Sequence, residues 1–365
     1  MKLFLLIIIL FHSSCLFGQE MTFSDKANNL IETVFVENQT VGIAAGFSID
    51  GSIAWQHGEG YSNLKDKVAF DTTTITRIAS ITKPMTAIAI MQLYESGKLE
   101  LDIPIQTYLP TFPKKKNGEI TIRHLLQHSS GIDAYKNKKE QENKKKYKSF
   151  ADAVSIFKDR KLISTPGEEF NYTTYGYVVL GQIIEVVSGT SYESYMQANI
   201  WDKANMSSTG IEVEGKSIPN KTMIYHRNSK GKIKEAKLTN LSDRVSGGGI
   251  YSTVSDLLKF GDAVINNTLI KPSTFNMMTE NPNIKTEGNA YGLGWYLYGK
   301  NPNYGDVYGH SGTQTGASTF LMILPEQKTS IVVLANTSGA IQTVSNITIR
   351  LFDIAHEAKT RRKVD

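Results

Sequence analysis

Four serines in this chain are followed three residues later by a lysine, a spacing that puts a hydroxyl beside an amine wherever the segment is helical. The four are Ser62, Ser80, Ser155 and Ser229. Ser62 falls in a polar turn and Ser229 in a loop rich in lysine and glycine. Ser155 falls inside a helix predicted from 153 to 162, where the preceding turn can satisfy its hydroxyl. Ser80 alone stands where a helix is predicted to begin, because the apolar residues after it keep helical spacing.

The chemistry that this pair could perform is nucleophilic catalysis. A serine hydroxyl attacks at neutral pH when a neighbouring base takes its proton. Lys83 lies one helical turn from Ser80, with Cβ atoms about 5–6 Å apart, and burial would lower the pKa of its amine so that it could be that base. The start of a helix also favours the negative charge that develops during attack. The same two residues, without further context, also fit a helix-capping serine beside a surface lysine.

Two other catalytic schemes lack their sequence signatures. The chain has no Gly-x-Ser-x-Gly elbow and no His-Glu-x-x-His zinc helix. Cys15 is the only cysteine, so a processed chain has no cysteine nucleophile, disulfide or cysteine-bound zinc. Five histidines show no metal-ligand spacing and are interpreted as surface or hydrogen-bonded residues, namely His57, His124, His128, His226 and His356. The sequence therefore predicts an enzyme that needs no metal and no cofactor.

Strand patterns at both ends of the chain enclose a helix-rich middle. A helix is predicted at 27–36, and Asp50-Gly51 predicts a tight hairpin between strands at 41–49 and 52–58. Further strands and a closing helix are predicted at 291–298, 306–309, 317–324, 330–335 and 342–358. The predicted fold class is α/β (α+β), with one antiparallel sheet built from both chain ends and flanked by helices. A helical lobe is inserted from about 100 to 245.

The middle of the chain supplies the elements that would face this sheet. Helices are predicted at 123–127 and 175–187, and a further helix starts at a capping pattern of Thr253 and Asp256. Residues 135–149 are polar and rich in lysine, so they are predicted to form an exposed loop. A crevice between the lobe and the sheet would be the natural ligand site.

Five sequence blocks resemble, in order, the class C β-lactamases and their penicillin-binding and esterase relatives. The block that contains Ser80 resembles the first catalytic motif, and the others resemble "LLTHTSGI", "PGxxFxYSNxGYxLLG", "AGGLYSTAxDL" and the third motif. These blocks are Arg77 to Lys83, His124 to Ile132, Pro166 to Gly181, Ser246 to Leu257 and Tyr308 to Gly316. The resemblance runs from about residue 28 to 355, and it implies the β-lactamase/transpeptidase-like fold and an acyl-enzyme mechanism.

The resemblance also implies a role for each matching residue. Ser80 would be acylated, and Lys83 would help to deprotonate it. Tyr172 would exchange protons with Ser80 and the leaving group, as a phenolate or as a hydrogen-bond relay. Positive charge from Lys83 and His310 would then lower the pKa of Tyr172. The backbone N–H groups of Ser80 and Thr313 would form an oxyanion hole, in which one donor is worth about 3–4 kcal/mol.

Two matching positions depart from the family pattern. Thr174 stands where the family has an asparagine that contacts the acyl amide of the substrate, which weakens the case for amide recognition. His310-Ser311-Gly312 replaces Lys-Thr-Gly, so the resemblance implies a catalytic His310, with Ser311 and Gly312 binding the substrate as Thr174 does. A histidine titrates near 6.5, so His310 would make the recognition of a substrate carboxylate depend on pH, with Lys83 and burial moving the crossover downward.

The N-terminus predicts export. The apolar run from Leu3 to Phe11 is too short to span a bilayer and is followed by small and polar residues. Residues 1–18 are therefore predicted to be a signal peptide and 19–365 one hydrolase domain that is secreted or periplasmic. The alternative is a lipoprotein anchored at Cys15, which His12 disfavours because such boxes usually carry leucine there.

The formal net charge of +5 comes with lysine runs that are typical of solvated loops and tails. Base-stacking aromatics and known nucleic-acid modules are missing, so a nucleic-acid partner is not predicted. The predicted partner is a small-molecule or peptide substrate, with cell-wall peptide as one option, and no permanent membrane span is predicted.

These observations favour a serine hydrolase that acts on small esters, D-amino-acid peptides or β-lactams. A second hypothesis is a peptidoglycan D-Ala-D-Ala carboxypeptidase. A third, from another class, is a binding or assembly protein that kept the fold without catalysis.

Overall fold

The computed structural model describes residues 21–36, 39–142 and 144–362. Within these residues the helices are α1 (Phe23–Val36), α2 (Thr82–Glu95), α3 (Ile122–Leu126), α4 (Lys138–Gln141), α5 (Phe150–Val154), α6 (Thr174–Ser188), α7 (Tyr192–Met196), α8 (Val245–Gly248), α9 (Val254–Ile265), α10 (Pro272–Met278) and α11 (Ile341–Arg361). Shorter helical segments are the 3₁₀ turns Ala79–Ile81 and Ile105–Thr107 and the π-helical segment Gln197–Trp201. The predicted signal peptide and Cys15 lie outside the described residues.

In the described part of the chain the strands form three sheets. They are β1 (Gly42–Ile49), β2 (Ser52–Asn63), β3 (Val68–Ala69), β4 (Thr76–Arg77), β5 (Gly210–Ile211), β6 (Tyr225–Arg227), β7 (Ile233–Glu235), β8 (Ile250–Ser252), β9 (Ala290–Tyr291), β10 (Tyr296–Asn301), β11 (Gly305–Gln314), β12 (Ala317–Leu324), β13 (Thr329–Ala335) and β14 (Thr337–Ser338). The central sheet has the order β3-β2-β1-β13-β12-β11-β10-β9, and two small sheets have the orders β14-β6-β7 and β4-β8-β5.

Strands from the two chain ends meet in the middle of the central sheet. β1 pairs antiparallel with β13, with Ile43 opposite Ala335 at one end of the ladder. The β1–β2 turn has positive φ at both Asp50 (51°) and Gly51 (79°), the conformation whose twist suits a two-residue hairpin. The prediction of an antiparallel sheet built from both chain ends and flanked by helices is confirmed.

Two apolar cores cover the two faces of this sheet. Successive side chains of a strand point to opposite faces, so Ala44 of β1 joins the core around α2, α6 and α9, whereas Ala45 and Phe47 join the core beneath α1 and α11. Because both faces are covered, β12 and β13 are buried along their whole length. The larger core encloses α2, the helix that follows Ser80, and thereby fixes the position of the candidate nucleophile.

Two predicted elements are shorter than expected. The predicted strand at 291–298 is broken into β9 and β10, because Gly294 has φ of 91° and a Cβ there would lie 2.4 Å from the Cβ of Ala87. The predicted helix at 153–162 is also wrong, since α5 ends at Val154 and Ser155 follows it as an exposed residue.

The predicted exposed loop at 135–149 is partly structured. It contains α4, and the side chain of Glu140 in this helix accepts hydrogen bonds from Arg160 and from the hydroxyl of Tyr175, at 2.8 and 2.5 Å. The composition of this segment did not predict its packing against α6. A lysine-rich composition indicates that most of the segment is exposed to solvent, but it does not identify the few side chains that pack inward. Among the described residues, no helix combines the length and apolar character needed to cross a bilayer.

Candidate active site

Ser80 lies in a strained turn that leads directly into α2. The 3₁₀ segment Ala79–Ile81 precedes the helix, and Ala79 has φ of 49°, a left-handed conformation that costs a non-glycine residue on the order of 1–3 kcal/mol. Pro84 falls in the first turn of α2, where its missing N–H does no harm. Ser80 is half-buried, so its hydroxyl sits at the boundary between the core and the cleft.

Lys83 is fully buried beneath Ser80, and its amine has three polar neighbours. Nζ lies 3.0 Å from Oγ of Ser80, 2.8 Å from the carbonyl oxygen of Gly247 and 3.4 Å from Oγ1 of Thr174. Burial holds the pKa of Lys83 well below its usual range, and the positive charge of Arg244 lowers it further. The Gly247 carbonyl only accepts, so a neutral amine can give it an N–H and still face Ser80 with its lone pair.

Tyr172 lies beside both Ser80 and Lys83. Its side chain lies close to that of Ser80, and Nζ of Lys83 lies 4.9 Å from the centroid of its ring. Burial raises the pKa of Tyr172 well above its usual range, and Tyr296 adds to this effect. The expectation of a lowered pKa is wrong, because loss of solvation outweighs the attraction of the nearby positive groups. The hydroxyl is therefore a protonated group that can accept one proton as it gives up another.

His310 is buried, and both of its ring nitrogens are occupied. Nδ1 lies 2.6 Å from the carbonyl oxygen of Ser311, which can only accept, so Nδ1 carries the proton. Nε2 then accepts from the hydroxyl of Tyr291 at 3.0 Å. Burial lowers the pKa of His310 to about 3, with the charge of Lys83 as the second cause. The expected pKa of His310 near 6.5 is therefore wrong, whereas the expected downward effect of burial and of Lys83 on this pKa agrees with the structure.

Gly312 lets β11 approach the turn that carries Ser80. A Cβ at this position would lie 2.2 Å from Oγ1 of Thr319 and 2.5 Å from the carbonyl oxygen of Ile78, so no larger residue fits without movement of the backbone. Oγ1 of Thr319 also donates to that carbonyl at 3.0 Å and so joins the sheet to the turn. The glycine therefore sets the distance between the strand and the nucleophile.

The outer edge of β11 beyond Gly309 borders a cleft. β10 pairs with β11 only from Gly305 to Gly309, while Thr313 is exposed and Ser311 half-buried further along the strand. A cavity of about 240 Å³ opens beside Thr313. Its walls include Gln141, His226, Arg244, Gln314 and Thr315. Space for a substrate thus lies next to the position predicted for an oxyanion donor.

Thr174 is the first residue of α6 and lies beside Lys83. The side chain of Tyr135 lies close to Thr174, and the guanidinium of Arg244 lies 4.8 Å from the centroid of the Tyr135 ring. Arg244 is buried and pairs with Asp243, with Nε and Oδ1 2.7 Å apart. Thr174 therefore belongs to the polar surroundings of the lysine, and its contact with substrate stays a prediction.

Arg77 joins the chain before Ser80 to the end of β11. It is fully buried and contacts Glu212 at 2.6 and 2.9 Å, while Nη1 donates to the carbonyl oxygen of Thr315 at 2.8 Å. Burial acts to raise the pKa of Glu212, but Arg77 and Lys221 together hold it below its usual value. Because removal of one partner would leave a buried charge, the pair fixes this segment firmly.

The segment that contains Glu212 also has the Gly-x-x-x-x-Gly-Lys-Ser spacing of a phosphate-binding loop, from Gly210 to Ser217. Such a loop must open a helix, whereas the element that follows β5 in the described chain is the strand β6. Glu212 inside the segment is already committed to Arg77 and Lys221. The spacing is therefore a chance match.

The structure brings Ser80, Lys83, Tyr172 and His310 together and also places four unexpected residues among them. These are His128, Arg244, Gly247 and Tyr291. His128 and Gly247 lie within blocks that resemble the family, but a block match does not show which of its residues face the site. Arg244 and Tyr291 lie outside the blocks, and their sequence carries no signal of their position.

An antiparallel sheet flanked by helices, with a serine and a lysine at the start of a buried helix, is the architecture of the β-lactamase and penicillin-binding-protein class. The chain matches the beta-lactamase family model over residues 27–355, and it belongs to that family. The human mitochondrial serine beta-lactamase-like protein LACTB is 31% identical over 83% of this chain and 72% of its own length.

Solved structures agree with this assignment. The octameric penicillin-binding protein homologue from Pyrococcus abyssi is 28% identical, covers 90% of this chain and 76% of its own, and has a TM-score of 0.79. A D-amino acid amidase from Ochrobactrum anthropi SV3 has the same TM-score of 0.79 at 20% identity, over 91% of this chain and 99% of its own. At that identity the likeness is one of fold.

Proposed function

We propose that this protein is a serine hydrolase that forms an acyl-enzyme on Ser80. The observation that carries the proposal is the 3.0 Å contact between Oγ of Ser80 and the amine of Lys83, which is fully buried and has a lowered pKa. A nucleophile and a neutral base within hydrogen-bond distance are the minimum equipment for covalent catalysis. Membership of the beta-lactamase family supports the same assignment.

In the proposed acylation, Oγ of Ser80 bonds to the carbonyl carbon of the substrate and its proton passes to Nζ of Lys83. The backbone N–H groups of Ser80 and Thr313 stabilise the negative oxygen, each by about 3–4 kcal/mol. As the bond to the leaving group breaks, the hydroxyl of Tyr172 gives the leaving group a proton and receives one from Lys83. A water molecule then attacks the carbonyl carbon of the Ser80 ester and gives a proton to the same relay. The relay protonates Oγ of Ser80 as the bond between Oγ and the acyl carbon breaks, and the acyl group leaves as the acid.

Small esters, D-amino-acid peptides and β-lactams are the proposed substrates. Ser311, Gly312 and Thr174 are proposed to border the bound substrate, with Gly312 acting through the close approach of its strand. A neutral His310, hydrogen-bonded to Tyr291, offers no fixed positive charge to a substrate carboxylate. This favours neutral esters and disfavours a dedicated penicillin-destroying enzyme.

The neutral His310 has a measurable consequence. Its pKa of about 3 means that its charge does not change across neutral pH. We expect the ratio of kcat/KM for an ester to that for a carboxylate-bearing analogue to be flat from about pH 5 to 8.5. A charged partner lost near pH 6.5 would instead change the ratio by roughly fivefold, since about 1 kcal/mol separates charged from neutral hydrogen bonds. Such a step would contradict the buried, doubly bonded histidine.

A direct test of the function combines a serine-reactive probe with a substrate panel. Wild-type protein is treated with a fluorophosphonate and assayed with small esters, D-amino-acid peptides and a chromogenic cephalosporin. One covalent adduct per chain with turnover of any substrate supports the proposal. Release of D-alanine from a stem pentapeptide would favour the D-Ala-D-Ala carboxypeptidase. Neither adduct nor turnover would favour a non-catalytic binding protein.

The compartment is a separate proposal. The human relative is named as mitochondrial, whereas the apolar N-terminus of this chain favours a secreted or periplasmic protein with residues 1–18 removed. N-terminal sequencing of exported protein should start near Gln19. A lipid-modified Cys15 would indicate the anchored form, and an intact start recovered from the cytoplasm would contradict export.

A further inference from the structure

We infer that His128 is a positioning residue that holds the Tyr172 hydroxyl at Ser80 through contacts on both sides of Tyr172. The inference rests on the proposed function, in which Tyr172 moves the proton. It differs from the sequence-based interpretation of His128 as an ordinary surface or hydrogen-bonded histidine.

The backbone of His128 reaches the residue before Tyr172. His128 lies just after α3, is 1% exposed, and has φ of 57°, which is uncommon for a residue other than glycine. In this conformation its carbonyl oxygen accepts a hydrogen bond from the N–H of Asn171 at 2.7 Å. A second bond of 2.7 Å, from Gly167 to the carbonyl oxygen of Ser129, ties the same two segments together.

The ring of His128 reaches the residue after Tyr172. Nδ1 accepts the N–H of Thr173 at 3.2 Å, so His128 bonds both chain neighbours of Tyr172. The His128 and Tyr172 rings also contact each other, with centroids 4.2 Å apart. The remaining rings around His128 are those of Phe170, Tyr177 and Tyr291. Together these contacts leave Tyr172 little freedom to move away from Ser80.

These contacts also fix the protonation state of His128. Because Nδ1 accepts an N–H, the single proton of the neutral ring lies on Nε2, which has no hydrogen-bond partner in the described structure. Burial lowers the pKa of His128 well below its usual value, and Lys83 and His310 act in the same direction when they are protonated. A neutral ring does not compete with Lys83 for the proton of Ser80, so His128 acts through geometry.

Two substitutions separate the contacts of His128 from its bulk. His128→Ala removes the ring and the Nδ1 acceptor. His128→Asn keeps an acceptor on Cγ, where Nδ1 is attached in histidine, and asparagine tolerates the left-handed backbone. A misplacement of about 1 Å at a reacting group can cost about 10²-fold in rate. We therefore expect kcat to fall about 10²-fold in His128→Ala, with KM changed less, and to recover at least about tenfold in His128→Asn.

The decisive experiment is a double-mutant cycle with Tyr172→Phe. That single variant should lose about 10²–10⁴-fold in kcat, since it removes the hydroxyl and keeps the ring. If His128 acts through this hydroxyl, adding His128→Ala or His128→Asn to the Tyr172→Phe variant should lower kcat by less than about a further threefold. The matched control is His124→Ala, which removes the 3.3 Å bond from the N–H of Thr121 at the other end of α3 and should act equally in both backgrounds.

Each outcome decides the inference. Losses that multiply in the double variant, or normal kcat in folded His128→Ala, would overturn it, and a thermal unfolding scan of each variant shows that it is folded. If His128→Ala does not fold, the His128→Asn arm of the cycle gives the answer. Near-normal turnover in Tyr172→Phe alone would show that the proposed proton relay is wrong, and this single-variant result is separate from the coupling measured for His128.

Discussion

Replacing Ser80 with alanine is expected to abolish covalent labelling by a fluorophosphonate and to lower kcat by roughly 10⁶-fold, as loss of the nucleophile does in serine hydrolases. The substitution removes only the hydroxyl oxygen of Ser80, which is the attacking atom and the hydrogen-bond partner of Lys83. Intact-mass measurement after labelling reads the adduct, and initial rates with a small ester read the turnover.

Ser155→Ala is the matched control for this experiment. Ser155 has the same Ser-x-x-Lys spacing, but it is exposed after α5 and its hydroxyl donates to the carbonyl oxygen of Asp152. Its variant should label and turn over like wild type. An adduct of unchanged mass shift and stoichiometry in Ser80→Ala would remove Ser80 as the nucleophile, whatever the family resemblance.

Replacing Lys83 with methionine is expected to lower kcat about 10²–10⁴-fold without unfolding the protein, because methionine fills the buried space of the lysine side chain while it removes the base. The pH dependence of kcat/KM in the wild-type enzyme should report the titration of the same amine. Only neutral Lys83 can accept a proton, so kcat/KM should rise with pH through its pKa and then stay level. Burial lowers that pKa well below its usual range, so the rise should end far below about pH 10.4.

Lys65→Met is the control, since Lys65 is an exposed lysine three residues after Ser62. It should leave both kcat and the pH profile unchanged. Lys83→Met should flatten the rising limb of the profile as well as lower it. A Lys83→Met enzyme that keeps that limb would place the base elsewhere, with Tyr172 as the next group to test.

Local sequence patterns were sufficient for several parts of this protein. The hairpin at Asp50-Gly51 was predicted correctly because its two left-handed residues are a property of two neighbouring positions. The pairing of Ser80 with Lys83 was also predictable, because a helical turn fixes the distance between residues three apart. The sheet from both chain ends followed from where the strand patterns lie along the chain.

Local patterns failed where a single break or a single contact decides the structure. The strand predicted at 291–298 is split because Gly294 meets Ala87, a residue of α2 that lies far away in the sequence. The predicted helix at 153–162 stops at Val154, since the apolar residues after it pack in turns. The polar loop at 135–149 turns Glu140 towards Arg160 and Tyr175, which composition does not reveal.

The sequence by itself determined which residues could react, and the tertiary structure decided their protonation states. Lys83 is in contact with Thr174 and Gly247, which lie 91 and 164 positions away in the chain. The pKa of Tyr172 is raised where positive neighbours predicted a lowered one, and His310 is held neutral by burial. Loss of solvation is the largest cause of the pKa shift of Lys83, Tyr172 and His310. Its size depends on all the surrounding groups that keep water away from the titrating atom. That size is set by the packing of the whole fold, so no local pattern of residues contains it.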